Sequence, residues 1–161
     1  MINYYSANFQ GNILKRGFWI YIWHIKTKNN KKYYYIGRTG DSSSKYASSP
    51  FSRLGQHLDM RKNAKGNSMY RNLKKIGINP CECEFNMFAC GPIFLEQSTI
   101  ESHRIRRDKM AAIENKLYCD LKKEGCEVIG NVNSKKEMPP KLLRKYKNIF
   151  DSARCWISRL K

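Results

Sequence analysis

The sequence contains a run of tyrosines, whose hydroxyl groups are of a type that can take part in proton transfer. The segment KKYYYIGRTG, residues 31–40, places three consecutive tyrosines ahead of an Ile-Gly-Arg sequence. Successive side chains of a β-strand face opposite ways, so Tyr33 and Tyr35 share one face, and Tyr34 shares the other with Ile36. At least one phenol is therefore expected to face the core or a cleft. Tyrosine is also a good strand former, and packing is the favoured role for Tyr33 and Tyr34.

A guanidinium and an imidazole group follow on a predicted helix. Ser49-Pro50 is a typical helix start, with the serine as N-cap and the proline in the first turn. Arg53 and His57 lie four residues apart, so both side-chain ends can reach the same place. A surface or core-edge position is the alternative for the histidine. The helix is expected to bury a stripe formed by Phe51, Leu54 and Leu58.

A carboxylate lies on the apolar face of a later helix, predicted for about residues 99–124. The start of this helix is indicated by a capping box, Ser98-x-x-Glu101. Glu114 falls within the apolar stripe of the helix, so its side chain is expected to face inward. It is either an ion-pair partner of Arg107 in the same helix or part of a functional site.

The composition favours nucleic acid as a partner. The chain of 161 residues has the size of one domain, and 31 Lys and Arg against 13 Asp and Glu give a formal charge of +18. Such a field attracts phosphate-rich polymers, although an anionic membrane surface could use the same charge. The longest apolar run, residues 18–23, is too short to span a bilayer, and no signal-peptide h-region follows Met1. A soluble, cytoplasmic protein is therefore expected.

Six cysteines raise the question of a zinc site. Cys81 and Cys83 form a CxC pair, Cys119 and Cys126 lie seven residues apart, and no histidine is near either pair. Structural zinc sites usually combine two close Cys or His pairs of other spacings. Buried, reduced thiols are the favoured interpretation.

Hydrophobic patterns predict three strands, at residues 18–25, 33–39 and 81–89. The first strand is apolar on both faces and therefore central, and the turn containing Asn29-Asn30 joins it to the second strand as a hairpin. Further helices are expected for residues 68–76, with Met69, Leu73 and Ile76 as the apolar face, and for residues 140–160. The basic face of the last helix is either solvated or in contact with nucleic acid.

Five segments resemble, in order, the motifs of the GIY-YIG nuclease family. They are WIY at residues 19–21, YIGRT at 35–39, SRLGQHL at 52–58, IENKL at 113–117 and GNVN at 130–133. Five ordered matches are more specific than YIG alone. The sequence departs from the family in having Trp19 in place of the first glycine, and in a longer hairpin turn and a longer loop before Arg53.

The resemblance implies the fold and the division of the chain. The fold class would be α/β, with a small three-stranded, mainly antiparallel sheet flanked by helices and a C-terminal helical extension. Residues 1–16 would form an N-terminal arm laid over the domain, residues 17–133 the nuclease domain, and residues 134–161 the extension.

The resemblance also implies roles for the polar residues. Glu114 would bind a single divalent metal, Mg²⁺ or alternatively Mn²⁺, which suits one carboxylate that leaves most of the ion's waters in place. Arg53 would hold the scissile phosphate with its planar fork. Arg38 stands where the family often has a lysine and would help to bind substrate, and Asn131 would support the site.

Proton transfer would fall to the aromatic residues. Tyr21 would act as general base or orient the attacking water, with Tyr35 beside it; either phenol could be the base, and His57 could share the transfer. A phenol of pKa near 10 is a poor base, so Arg38, Arg53 and the metal are expected to lower the pKa.

The implied activity is metal-dependent hydrolysis of double-stranded DNA. Family members with other roles attach further domains for which this chain leaves no room, so a type II restriction endonuclease that cuts at a short specific site is expected. The alternatives are a phage or mobile-element endonuclease, and a non-catalytic basic module that binds nucleic acid on the same fold. A double-strand break at a palindromic site predicts a homodimer on DNA. Its interface would be the stripe of the last helix, unless that stripe packs on its own domain: Leu142, Tyr146, Ile149, Trp156 and Leu160.

Overall fold

The computed structural model describes residues 2, 4–41, 44–132, 134 and 136–160, so Asn133 of the GNVN segment lies outside the described residues. Three strands, β1 (Phe18–Thr27), β2 (Lys32–Arg38) and β3 (Cys83–Phe94), form one sheet in the order β2-β1-β3, with both pairs antiparallel. The helices are α1 (Pro50–His57), α2 (Ser68–Lys75), α3 (Ile100–Lys123), α4 (Pro140–Lys145) and α5 (Lys147–Ser158). Short 3₁₀ turns lie at Gly11–Leu14 and Pro80–Glu82. The predicted α/β class and helix-flanked, three-stranded antiparallel sheet are confirmed.

β1 is the central strand, as its two apolar faces predict. Residues 18–25 are all buried, because β2 and β3 cover both edges and helices cover both faces. Phe18, Ile20 and Ile22 join one hydrophobic cluster, whereas Tyr21 and Trp23 join the other. The strand alternation expected for the tyrosine run is also confirmed: Tyr34 and Ile36 lie in the first cluster, and Tyr35 lies in the second with Tyr33 packed against it.

The helices form a layer on each face of the sheet. α2 and, less deeply, α1 cover the face that carries Tyr21, while α3, α4 and α5 cover the opposite face. The β1–β2 turn is tight, with Asn30 at a positive φ of 59° as its residue type allows. The register of this hairpin places Tyr21 opposite Gly37 and Trp23 opposite Tyr35.

α1 begins where predicted, and Leu54 and Leu58 pack against a core cluster as expected, but Phe51 does not. The Ser49 hydroxyl oxygen accepts a hydrogen bond from the Ser52 backbone N–H at 3.1 Å. His57 is only 1% exposed, whereas Phe51, predicted to be buried, is 38% exposed and is partly covered by Phe9 of the N-terminal segment at a centroid distance of 4.9 Å. The helix has turned its histidine toward the sheet, where it meets aromatic rings.

The ends of two other helices differ from the prediction. α2 buries Met69 and Leu73 as expected, but Ile76 is 48% exposed because the helix has already ended at Lys75. The predicted capping box of α3 is one residue too early. Thr99 adopts the extended conformation and is the N-cap, its hydroxyl oxygen accepting from the Ser102 backbone N–H at 3.2 Å.

The predicted helix over residues 140–160 is two helices, broken at Tyr146, whose φ and ψ are −112° and 21°. On either side of the break the apolar stripe packs on the domain: Tyr146 and Ile149 enter the core cluster, and the Trp156 ring lies 5.7 Å from that of Phe88. The stripe therefore packs on its own domain, the alternative that the sequence favoured.

The six cysteines, all among the described residues, form no disulfide bond, but the prediction that they are buried is largely wrong. Only Cys126 is buried; Cys83 and Cys90 are half-buried, and Cys81, Cys119 and Cys155 are exposed. No helix in the described part of the chain is long and apolar enough to cross a membrane.

Candidate active site

A cavity of about 210 Å³ opens at the edge of the sheet beside β2. Its walls come from β1, β2, α1, the start of α2, the middle of α3 and the segment after α3. Every site residue predicted from the sequence contributes to its lining: Tyr21, Tyr35, Arg38, Arg53, His57, Glu114 and Asn131. Residues from positions 21 to 131 of the chain therefore converge on one concave surface.

The Tyr21 ring lies over the neighbouring strand β2, where Gly37 leaves room for it. A Cβ atom built on Gly37 would lie 2.4 Å from Cε2 of Tyr21 and 2.6 Å from its hydroxyl oxygen. The YIG segment thus needs glycine at this position, because any side chain would collide with the Tyr21 ring. Tyr21 itself is 1% exposed.

The Tyr21 hydroxyl group and His57 form a buried hydrogen bond, with 2.7 Å between Oη and Nε2. Burial, and then the nearby Arg53 charge, lower the pKa of His57 to about 3, so the imidazole is neutral at physiological pH. Burial also raises the pKa of Tyr21, and Arg53 only partly offsets this effect. Arg53 thus lowers the pKa of the phenol as expected, but burial outweighs this effect, so the pKa of Tyr21 in the protein alone lies above its ordinary value. The Tyr21 hydroxyl oxygen also lies 3.3 Å from the Arg38 carbonyl oxygen. A neutral phenol that donates to the nearer of the two acceptors, the neutral imidazole, fits this geometry.

The second phenol reaches the same histidine through a residue that the sequence did not single out. The hydroxyl oxygens of Tyr35 and Ser68 lie 2.7 Å apart, and Ser68 Oγ lies 3.2 Å from Nδ1 of His57. Burial raises the pKa of Tyr35, and its hydrogen bond to Ser68 acts in the opposite direction. Tyr21, His57, Ser68 and Tyr35 form one continuous chain of hydrogen bonds.

Glu114 faces the cavity and is paired with Arg38. The Arg38 Nε–H donates to Oε2 of Glu114 at 2.8 Å, and each side chain is 15% exposed. The alternative partner, Arg107, instead pairs with Asp108 at 3.3 Å, while its backbone carbonyl accepts from Arg38 at 3.3 Å. Burial raises the pKa of Glu114 although Arg38 favours the charged carboxylate.

Arg53 presents a free donor to the cavity. Its terminal nitrogens donate to Asp41 Oδ2 at 3.1 Å and to Gln56 Oε1 at 2.9 Å. Its Nε–H is buried and has no hydrogen-bond partner among the residues that the structure describes. A buried, unpaired donor of a cation is costly, and an anionic oxygen would satisfy it.

The remaining lining residues were not foreseen from the sequence. Asp41 and Tyr118 stand beside the predicted cations and carboxylate, and Asn72 packs so closely that its amide nitrogen would lie 2.6 Å from a Cβ on Gly130. Asn131 lines the cavity from an exposed position. Asp41 and Asn72 lie outside the matched motifs, and only the docking of the elements brings them to the site.

The donor atoms suit a hard divalent cation held mainly by water and substrate. Glu114 supplies one carboxylate, and Asp41 and Asn131 add further oxygen donors to the lining. Within the described ranges, no group of three or more His, Cys, Asp or Glu side chains is placed to hold a metal ion. A Mg²⁺ ion bound through one or two carboxylates, with waters and phosphate oxygens as its other ligands, matches this donor set.

Comparison of the chain with protein-family models, with curated proteins and with solved structures finds no significant match.

Proposed function

We propose that the protein is a metal-dependent endonuclease that hydrolyses phosphodiester bonds of double-stranded DNA. The observation that carries the proposal is the meeting of two phenols, an imidazole, two guanidinium groups and a carboxylate around one cavity of about 210 Å³. A module that only binds nucleic acid needs the cations but has no use for a buried carboxylate and a tyrosine–histidine hydrogen bond beside them.

In this proposal Arg53 binds the scissile phosphate. Its Nε–H has no hydrogen-bond partner among the described residues, and a phosphate oxygen can displace Asp41 from the terminal nitrogen. A planar guanidinium matches two phosphate oxygens and stabilises the charge that develops on them in the transition state.

Tyr21 and His57 hold and move the proton of the attacking water. The 2.7 Å hydrogen bond fixes the phenol oxygen at the cavity wall, and the neutral imidazole offers Nε2 as an acceptor for the phenol proton. Glu114, with Asp41 and Asn131 nearby, would hold the divalent ion, which when bound supplies Lewis-acid stabilisation of phosphate and leaving-group oxygens. Binding of the ion would compete with the Arg38–Glu114 ion pair and leave Arg38 free to contact the substrate backbone.

The finer assignment, a type II restriction endonuclease acting as a homodimer on its site, rests on the family resemblance and on the two-fold symmetry of palindromic DNA. A net charge of +18 supports binding to the DNA backbone. It fits both a restriction endonuclease and the alternative, a phage or mobile-element endonuclease.

The test is cleavage of supercoiled plasmid by the purified full chain in Mg²⁺, with EDTA as the blank and sequencing of the fragment ends. Glu114→Gln should abolish cleavage and leave DNA binding nearly unchanged, because it removes a charged metal ligand and no phosphate contact. Glu101→Gln, an exposed change in the first turn of the same helix, is the matched control and should cut like the wild type. Cleavage by Glu114→Gln at the wild-type rate would exclude the metal assignment, and no cleavage of any DNA by the wild type would exclude the function.

A further inference from the structure

Ser68 connects the two phenols of the candidate active site, and nothing in the roles proposed above uses it. It is the first residue of α2, half-buried, and it touches His57 and Tyr35 at the same time. With the Tyr21–His57 bond, three hydrogen bonds of 2.7 Å, 3.2 Å and 2.7 Å run from Tyr21 through His57 and Ser68 to Tyr35. Three consecutive hydrogen bonds between groups that can each donate and accept form a path along which protons can shift together.

Protonation of the histidine in the middle of this path is energetically unfavourable. Burial and the Arg53 charge keep it neutral, so a proton taken from Tyr21 must be passed on. Its Nδ1 lies 3.2 Å from Ser68 Oγ, and its Nε2 lies 2.7 Å from the Tyr21 hydroxyl oxygen. A neutral imidazole that accepts from Tyr21 at Nε2 carries its proton on Nδ1 and donates it to Ser68, so this tautomer completes the path.

We propose that Ser68 is a positioning residue that joins His57 to Tyr35, so that the proton leaving Tyr21 is relayed through the imidazole and the serine hydroxyl group to Tyr35 and then to water. The inference rests on the proposed function. The Tyr21 O–H bond breaks as Nε2–H forms, and Nδ1–H breaks as a new Ser68 O–H forms. The former Ser68 proton moves to Tyr35, whose own proton passes to a cavity water. As its own proton leaves, the Tyr21 oxygen takes a proton from the attacking water, so Tyr21 and His57 both end neutral, with His57 in its other tautomer. The released proton leaves on a cavity water, while the hydroxide oxygen bonds to phosphorus and the bond from phosphorus to the leaving oxygen breaks.

The hydrogen bond between Ser68 and His57 can be tested without measuring DNA cleavage. Nitrogen-15 NMR of the full chain should show His57 with a protonated Nδ1 and a bare Nε2; the chain has only three histidines, and His57→Gln assigns the signals. Ser68→Ala should shift the Nδ1 resonance, and Ser68→Thr, which keeps the hydroxyl group, should restore it. Ser158→Ala, an exposed serine that donates only to the Cys155 carbonyl, is the control and should change nothing. An unaltered His57 spectrum in Ser68→Ala would overturn the inference.

The relay is then tested by plasmid cleavage in mixtures of light and heavy water. Ser68→Ala should lower kcat by about 10²-fold at unchanged KM, as expected for loss of one proton-transfer partner. A curved dependence of the wild-type rate on the deuterium fraction should become linear in this variant. Wild-type cleavage rates in Ser68→Ala would overturn the relay while leaving the nuclease proposal intact. A wild type that shows the NMR link but cuts no DNA would overturn the nuclease proposal and the relay with it, and the contact would remain purely structural.

Discussion

At the scale of single residues, the site combines ionisable groups whose burial favours the neutral form of each. Burial raises the pKa of Tyr21 and Glu114 and lowers that of His57, so each is pushed toward its neutral form. Arg38 and Arg53 counter this for the carboxylate and the phenol. A site in which desolvation and two fixed cations compete is sensitive to any new charge that enters it, which is what phosphate and a divalent ion would bring.

The guanidinium of Arg53 is expected to contribute more than its charge. Arg53→Ala should lower kcat by about 10²–10³-fold, because it removes the donors that stabilise the transition-state phosphate. Arg53→Lys should stay well below wild-type turnover, since an ammonium group lacks the planar fork. Single-turnover cleavage of a labelled duplex measures both. Arg61→Ala, at an exposed arginine paired with Asp59, is the control; full activity in Arg53→Lys would show that charge alone suffices.

His57 predicts a pH dependence of stability. Its pKa is about 3 in the folded protein against 6.5 in the unfolded chain, so the unfolded state binds more protons as the pH falls below 6.5. The free energy of unfolding should therefore decrease with acidification by up to about 1.4 kcal/mol per pH unit from this residue. The pKa of His24 is lowered in the same direction. Urea unfolding between about pH 7 and 5 should give a flatter slope for His57→Gln than for the wild type; equal slopes would contradict the assignment.

At the scale of elements, the sheet could be predicted because its pattern is local. The double-sided apolar run of β1 and the alternation of Tyr34 and Tyr35 depend only on strand geometry. The buried face of α1 could not be predicted in the same way. Helical spacing predicted Phe51 as a core residue, but tertiary packing buries His57 and leaves Phe51 exposed. Ser68 was missed for the same reason, since it meets partners 11 and 33 residues away only after α2 has docked.

The β1–β2 pair makes Gly37 a structural requirement. Gly37→Ala would place a methyl group 2.4 Å from the Tyr21 ring, so the ring or the strand must shift. We expect a loss of about 1–3 kcal/mol in the free energy of unfolding, as for other overpacked sites, together with loss of cleavage. Gly55→Ala in α1 is the matched control, because no atom lies within 4 Å of the added methyl group. There the change should stabilise by about 0.5–1 kcal/mol, since alanine favours a helix. Urea titrations of the two variants should move in opposite directions.

At the scale of the whole molecule, charge and assembly are linked. Two copies of a chain with a charge of +18 repel each other in solution, and a DNA duplex neutralises that repulsion. We expect monomers without DNA and two chains per duplex on an uncleavable palindromic site in Ca²⁺, measured by light scattering at physiological salt. Tyr146 and Ile149 of the last helical stripe are buried in the domain core, so a dimer would have to use other residues. One chain per duplex, from an enzyme that makes concerted double-strand cuts, would refute the homodimer.

The central position of β1 has a consequence for the order in which the molecule opens. Amide hydrogens of a strand that is paired on both edges and covered on both faces exchange with solvent last, close to the rate set by global unfolding. Tyr21 is attached to that strand, whereas Arg53 is carried by α1, a helix of only eight residues with several exposed positions. Local fluctuations can therefore carry Arg53 away from the phenol and back while the sheet stays intact, which would give the DNA substrate of the proposed enzyme a way in and out of a narrow cavity.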